Sequence, residues 1–502
     1  MNNENTESST PQQETAGNKA TDYRAIRIEN MRKLEAAGYQ PFGQAFERTG
    51  TIAEIRVGWV PPDADAAPET IPPQQVAAAG RFMGRRDMGK TVFGDLQDGS
   101  GRIQLFINAK NMGVEAFDAM RNLDLGDHIG VEGPLFTTRT GELSIRVVRW
   151  TLLSKALRQP PEKFHGLQDT EDRYRMRYLD LMSNPESRER FNKRIAIVRS
   201  IRRYLEDRGF QEVETPMMQP QPGGAAARPF TTHYNALDCT MYMRIAPELY
   251  LKRLLVGGFD KIFEIGRDFR NEGLDRTHNP EFTVMELYQA YADRTAMKEL
   301  LEGFIPNACD EVLGTRKVPY GDAEIDFTPP YREASYPALI REKMGEDWFD
   351  LPIETARTRA AEAGLDVNPA WSMLELSHEV YDKLIERTLF QPTFVVDIPR
   401  EYIPLAKTLP DQPSVANAFE FVVAGRELCP GYTEQNNPIA QREAFEHQAG
   451  EDTEKIDEDF IRALEYGMPP AGGMGIGIDR LVMMLTGTEV IRDVILFPQL
   501  KQ

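Results

Sequence analysis

The sequence predicts an α+β chain of two domains, on three observations. Five short strand-like runs crowd into about 80 residues between Val76 and Leu153. A strongly amphipathic helix, FNKRIAIVRSIRRYLEDRGF (191–210), follows a proline-bearing linker. Strand-like runs then return among helical ones, at TFVVDIP (393–399) and FEFVVAGREL (419–428). At 502 residues the chain is too long for one core and a natural size for two or three domains.

Composition bounds the class. Hydrophobic residues make up 41% and charged residues 27%, the balance of an ordinary globular protein. There is no apolar run of about 18 residues, so no membrane partner is expected. The N-terminus has neither a basic segment followed by an apolar one nor an Arg-rich presequence, and reads as no targeting peptide. Cys239, Cys309 and Cys429 are widely spaced and fit a reducing cytoplasm. The net charge of −19 argues against non-specific coating of nucleic acid, while leaving room for a local basic patch.

In chain order, residues 1–21 are polar and read as a disordered tail. Residues 22–75 form a helical segment and a linker. Ala25–Ala37 is amphipathic with Ile28, Met31 and Leu34 on one face, and 61–75 carries five prolines. The basic residues Arg24, Arg27, Arg32 and Lys33 of this helix either touch RNA or form a solvated face. Residues 76–153 hold the five runs VAAAGRFMGRR, TVFGDLQD, GRIQLFIN, HIGVEGPLF and LSIRVVRWTLL, with a helical stretch near Ala109–Arg121. That pattern suggests a small Greek-key barrel of the OB type. GRRDMGKT (84–91) matches the GxxxxGK[ST] phosphate-loop pattern, but strand-like sequence follows it instead of a helix. It therefore reads as a basic hairpin turn. Residues 154–176 read as a linker and 177–502 as the second domain. There, Ile195, Val198, Ile201 or Arg202, and Leu205 keep helical spacing, and Gly209 stops the helix. QEVETPMM (211–218) reads as a strand interrupted by Pro216, and 294–385 as mostly helical.

Three stretches of the second domain carry chemistry. They are the helix with GFQEVETP (209–216), FEIGRDFRNEGLDRTHNPEFTVMELYQAYAD (263–293), and GGMGIGIDRLVMMLTG (472–487). Their order and content resemble motifs 1, 2 and 3 of the class II aminoacyl-tRNA synthetases. With a barrel placed N-terminally, the chain resembles the lysine, aspartate and asparagine subgroup. RIAPELYLKRLLVGGFDKIFEIGR (244–267) and IRDVILFPQ (491–499) are most like the lysine enzymes. The resemblance runs from about residue 23 to 502. It implies a catalytic domain with a mainly antiparallel sheet flanked by helices, and a homodimer joined through motif 1. The substrates implied are ATP, L-lysine and tRNA(Lys), with Mg²⁺ as cofactor.

The resemblance also implies roles. Carboxylate attack on the α-phosphate builds negative charge, so positioned cations are needed. Arg270 would bridge the amino-acid carboxylate and the α-phosphate, as a guanidinium fork can, and Arg480 would lie across ATP from it. Glu272 would accept from the adenine amino group, Phe282 would stack on adenine, and His278 would lie near the γ-phosphate. Glu420 and Glu427 match the family's magnesium carboxylates. They are seven residues apart in strand-like sequence, which could put them on opposite faces unless Val423-Ala424-Gly425 turns.

A cationic side chain needs carboxylates around it, whereas an aspartate pocket needs Arg or Lys. Glu248 and Glu286 would serve the α-amino group, and Tyr288 and Glu434 the ε-ammonium. Gly224 would leave room beside them and Tyr432 would line the pocket. Arg86, Phe93 and Gln104 match positions facing the central anticodon base, with barrel core as the alternative for Phe93. Two departures stand out. Pro430 occupies a position where the family usually has asparagine, and Thr277 separates Arg276 from His278. Loss of Arg270, Glu272 or Arg480 would mark an inactive RNA-binding paralogue, and all three are present.

Overall fold

The computed structural model describes residues 22–61, 74–161, 167–449 and 456–501. The tail at 1–21 and most of the proline-rich segment lie outside the described residues. The chain divides into two compact units, 1–166 and 167–502.

The first unit is built on alternation. Its strands are β1 (Gln75–Met88), β2 (Thr91–Gln97), β3 (Arg102–Asn108), β4 (His128–Thr137), β5 (Leu143–Arg146) and β6 (Arg149–Ser154). Pairing runs β1-β2-β3-β5-β4 and returns from β4 to β1, a closed ring, with β6 added on β4. Val92, Leu96, Ile103, Leu105 and Ile107 fill the core at every second position, as the two-residue period requires. The segment 84–91 is the β1–β2 hairpin, with Gly89 at φ +66° in its turn. LSIRVVRWTLL is two strands rather than one. β5 pairs with β3 and β4, whereas β6 pairs with β4 alone, and Val147 and Val148 make the change of partner. The N-terminal helix spans Tyr23–Ala36 and buries Leu34. Arg27 is buried too, donating to the carbonyls of Ala156 and Leu125, so it fits neither of the two readings, RNA contact or a solvated face.

Lys155, at the head of the stretch read as a linker, is fully buried between Asp124 and Asp127. Residues just beyond Ser154 are therefore packed with the barrel, and further along, Thr170–Arg175 is a helix.

The second unit is an eight-stranded sheet with helices against it. The strands are β7 (Gln211–Glu212), β8 (Lys261–Phe269), β9 (Glu281–Ala290), β10 (Arg332–Ser335), β11 (Thr393–Val396), β12 (Ala418–Val423), β13 (Arg426–Thr433) and β14 (Ala471–Gly477). Their order is β10-β11-β12-β13-β14-β9-β8-β7. The six inner strands are antiparallel, and only the edge pairs β10–β11 and β7–β8 are parallel.

One face of the sheet is packed by the helices Pro185–Glu206 and Arg294–Ala308, whose Ile197, Ile201, Leu205, Leu301 and Phe304 join Met285 and Leu287 of β9 in the main core. The long helix starts at Pro185, before its apolar pattern begins, because proline suits the first helical position. It ends with Gly209 at φ +81°, and Phe210 N–H returns to the Leu205 carbonyl. Its buried face is set by Ile197 in place of Ile195, which is 55% exposed. QEVETPMM divides at its proline into β7 and a separate strand, Met218–Gln219. The stretch 294–385 is less helical than its sequence suggests, since a hairpin of Lys317–Tyr320 and Ala323–Asp326 interrupts it.

Lys155→Met would leave Asp127 buried without its cation, at a cost of about 3–5 kcal/mol. The expected result is a lowered melting temperature for the unfolding step of the first unit, read by differential scanning calorimetry of the full chain.

Candidate active site

On the face of β9 opposite the core helices, Phe282, Val284, Glu286 and Tyr288 point the same way, two residues apart. They floor a cavity of about 1710 Å³ that lies wholly within the second unit. Gly224, Glu248, Arg270, Glu272, His278, Phe282, Glu286, Tyr288, Glu427, Tyr432, Glu434 and Arg480 all line it; Glu420 does not.

The sheet register builds the closed end. Tyr432 of β13 and Tyr288 of β9 both pair with Gly473 of β14, and Glu286 pairs with Gly475. A methyl group at 473 would overlap both Glu434 Oε1 and the Tyr288 ring, so glycine is what lets these two groups meet over the strand. Gly224 sits at φ +87°, and a side chain there would press on Ala246 and Glu248. Glu248 opens the helix Glu248–Val256. Glu248, Glu286 and Glu434 are all buried. Tyr288 donates its hydroxyl to Glu286 Oε2 at 2.9 Å. Burial, then the charge of Glu248, pushes the Glu286 carboxyl well above its ordinary range. Burial likewise raises Tyr288, so its hydroxyl keeps its proton. Burial also raises Glu434, opposed by the ammonium of Lys252 2.6 Å away.

The open end is cationic. Arg270 follows directly on β8, held by its N–H to the Pro280 carbonyl at 2.8 Å, with its guanidinium 5.2 Å from the Phe282 ring centre. Its Nε is buried with no hydrogen-bond partner among the described residues. Beneath it, Asp268 is raised to about 7 by burial, against the pull of Arg244 and Arg270. Glu272 is exposed, and its Oε1 lies 3.4 Å from the Arg228 N–H. Arg480, in the first turn of the helix Ile478–Leu485, donates to the Glu427 carbonyl at 2.7 Å and lies 3.0 Å from His278 Nε2. The other ring nitrogen of His278 is 2.7 Å from Asp275. Arg276 instead pairs with Glu489 at 3.0 Å.

Glu420 and Glu427 lie on the β12–β13 hairpin, whose two-residue turn, Ala424-Gly425, has φ of +52° and +70°. A register shift after Phe421 sets Glu427 opposite Val422, and Val422 and Glu420 share a strand face. Seven residues of separation thus become proximity. Burial, then Glu427 and Glu386, lifts Glu420 to about 8. Pro430 stands opposite Glu420 and lines the cavity one residue before β13 starts to pair with β14. Among the described residues no three His, Cys, Asp or Glu side chains form a metal cluster. A buried carboxylate with a second one close by fits an ion such as Mg²⁺, which takes few protein ligands and shares phosphate oxygens.

On the barrel, Phe93 lies on the outer face, with its ring edge-on to Phe106 at 5.5 Å. Arg86 pairs with Phe93 across β1–β2, and Gln104 accepts from Ser144 at 3.0 Å on the same outer face. Sequence reading missed Phe106 and Phe136, which continue this aromatic row, and Arg146 over Phe136. Their alternation with core residues was the available signal.

The family model for class II tRNA synthetases (D, K and N) matches residues 169–501, and that for the OB-fold nucleic acid binding domain matches 76–153. The chain belongs to the class II tRNA synthetases of the D, K and N group. A Moorella thermoacetica protein named lysine–tRNA ligase is 48% identical over 96% of this chain and 98% of its own length. Its Pelotomaculum thermopropionicum namesake is 48% identical over 95% and 94%, and one from Staphylococcus aureus is 45% identical over 96% and 99%. In this synthetase the glycine-rich strand of motif 3 and the alternating strand of motif 2 are neighbours, which is why motifs about 200 residues apart share one cavity.

Glu286 binds its proton more tightly folded than unfolded, so the folded state holds more protons above the ordinary carboxylate range near 4.5. Stability of the ligand-free chain should therefore fall as pH rises above about 4.5, by up to about 1.4 kcal/mol per pH unit per group. Glu286→Gln should flatten that slope in urea titrations run at several pH values.

Proposed function

We propose that this chain activates L-lysine with ATP and transfers it to tRNA(Lys), the reaction of a lysine–tRNA ligase. The observation that carries the reading is the buried carboxylate set at the closed end of a cavity whose open end is cationic. Lysine has two ammonium groups and one carboxylate, and this polarity suits it. A pocket for aspartate would need the opposite polarity. The names of the relatives agree with it.

The α-amino group would lie against Glu248 and Glu286, and the ε-ammonium against Glu434 and the Tyr288 hydroxyl, beside Gly224 and Tyr432. The lysine carboxylate would then reach Arg270, whose unpartnered Nε supports a role in holding an anion. Arg270 can bind that carboxylate and the α-phosphate together. One carboxylate oxygen attacks the α-phosphorus, the bond to the bridging oxygen breaks, and pyrophosphate leaves with its electron pair. Arg480 and His278 would meet the phosphates, Phe282 the adenine face and Glu272 the adenine amino group. Glu420 and Glu427 would hold Mg²⁺, which offsets phosphate charge when bound. A ribose hydroxyl at the tRNA terminus then attacks the lysyl carbonyl, and AMP leaves. No side-chain nucleophile is required.

Arg86, Phe93 and Gln104 would meet the anticodon, supported by the outward, aromatic setting of Phe93. A homodimer is supported by Ile195, exposed on the motif 1 helix. No helix of the described residues is long and apolar enough to cross a membrane, and the three cysteines are all free, which suits the cytoplasm.

Lysine-dependent ATP–pyrophosphate exchange, with all twenty amino acids compared, tests the reading: lysine alone should give a signal, and silence with every amino acid would sink it. Arg270→Ala should lower kcat/KM for exchange by on the order of 10²–10³-fold or more. Phe93→Ala should leave exchange unchanged while raising KM for tRNA by about tenfold, the loss expected from one stacked base.

A further inference from the structure

Behind the carboxylates of the closed end stands a cation that is not part of the cavity wall. Lys252, one helical turn after Glu248, is fully buried. Its Nζ lies 2.7 Å from Glu248 Oε1 and 2.6 Å from Glu434 Oε2, and it donates to the Leu405 carbonyl at 3.4 Å. The contacts to Glu248 and Leu405 are hydrogen bonds, and that to Glu434 is an ion pair. A methionine would fill nearly the same volume without the cost of burying a charge, so packing alone does not account for a lysine here.

The charges explain it. With the substrate bound and the Glu286 proton given up, Glu248, Glu286 and Glu434 bring three negative charges to the closed end, whereas the substrate brings two ammonium groups. Lys252 offsets the remaining one. Without it, Glu248 and Glu434 would confront each other, and two like charges at that range share a proton. That proton would occupy an acceptor the substrate needs. With Lys252 in place, Oε2 of Glu434 forms an ion pair with the internal ammonium at 2.6 Å, and neither Oε1 nor Oε2 has a hydrogen-bond partner among the described residues. Oε1 is also the atom over Gly473, at the floor of the cavity.

We propose that Lys252 is a positioning and specificity-determining residue for the lysine substrate: its ammonium, shared by Glu248 and Glu434, cancels one of the three carboxylate charges and leaves Glu434 Oε1 free for the incoming ammonium. The proposal rests on the lysine-activating reading. It makes Lys252 an internal counter-ion that acts through its two partners without touching substrate.

The test is pyrophosphate exchange with wild type, Lys252→Met and Lys252→Arg, reading KM for lysine, KM for ATP and kcat separately. Lys252→Met should raise KM for lysine by on the order of tenfold or more, the loss of a charge-assisted contact, with KM for ATP changed less than about threefold. Lys252→Arg, which keeps the charge, should lose much less. An unchanged KM for lysine in Lys252→Met would overturn the role of Lys252, as would equal losses in the two variants. Should Lys252→Met not fold, Lys252→Ala with ethylammonium decides: recovery of melting temperature and lysine KM by ethylammonium but not by ethanol supports the role, and recovery by neither, or by both alike, overturns it. A wild-type chain with no lysine-dependent exchange sinks the functional reading as well, whereas an active wild type matched by Lys252→Met sinks only this inference.

Discussion

Carboxylates held out of water repel one another, and the catalytic unit is arranged around that fact. Glu248, Glu286 and Glu434 come from a helix, a strand and the residue just past the end of another strand, so only the assembled sheet forces them together. Each is answered locally, by the Tyr288 hydroxyl on Glu286 and by Lys252 on the other two. What remains unanswered is a surplus of negative charge in a closed space. A cation that enters can form strong bonds there, since water competes little. A neutral side chain of the same size would leave polar groups unpaired, which is how such a site discriminates.

The same economy governs the cationic end. Arg480, His278 and Asp275 form a chain of contacts, and Arg480 also holds the Glu427 carbonyl. These groups are thus kept near where an anion would lie, instead of being drawn into stronger ion pairs. Arg276 shows the contrast, being engaged by Glu489. Beneath the site, Arg244 lies between Glu264 and Asp268, so the strand that carries Arg270 is braced from the inner side. Asp479 accepts the Thr283 N–H and pairs with Arg194, which ties motif 3 to motif 2 and to the motif 1 helix.

Much of this could be read in the chain. Alternation in TVFGDLQ and RIQLFIN is enough for barrel strands, and the failure of a helix to follow GKT is enough to dismiss a phosphate loop. The residues proposed to act on ATP and lysine could be picked out because motif 2 and motif 3 are compact in sequence. Ile195 and Ile197 are both apolar, however, and only packing against Met285 and Leu287 chooses between them. Arg27 was misread for the same reason: its charge pointed to the surface, but the carbonyls that bind it come from residues 98 and 129 positions away.

The sequence by itself determined the periods, the turns and the chemical inventory, because these depend on residues within a few positions of one another. The tertiary structure alone decided which of those residues share a dielectric and a line of sight. By spacing alone Glu248 and Lys252 are an i, i+4 pair of the kind common on helix surfaces, and only the fold brings Glu434, 182 residues from Lys252, over them. Glu420 and Glu427 looked misplaced until a left-handed turn and a register shift brought them to one face. Burial and long-range register are properties of the assembled sheet, and no local pattern encodes them.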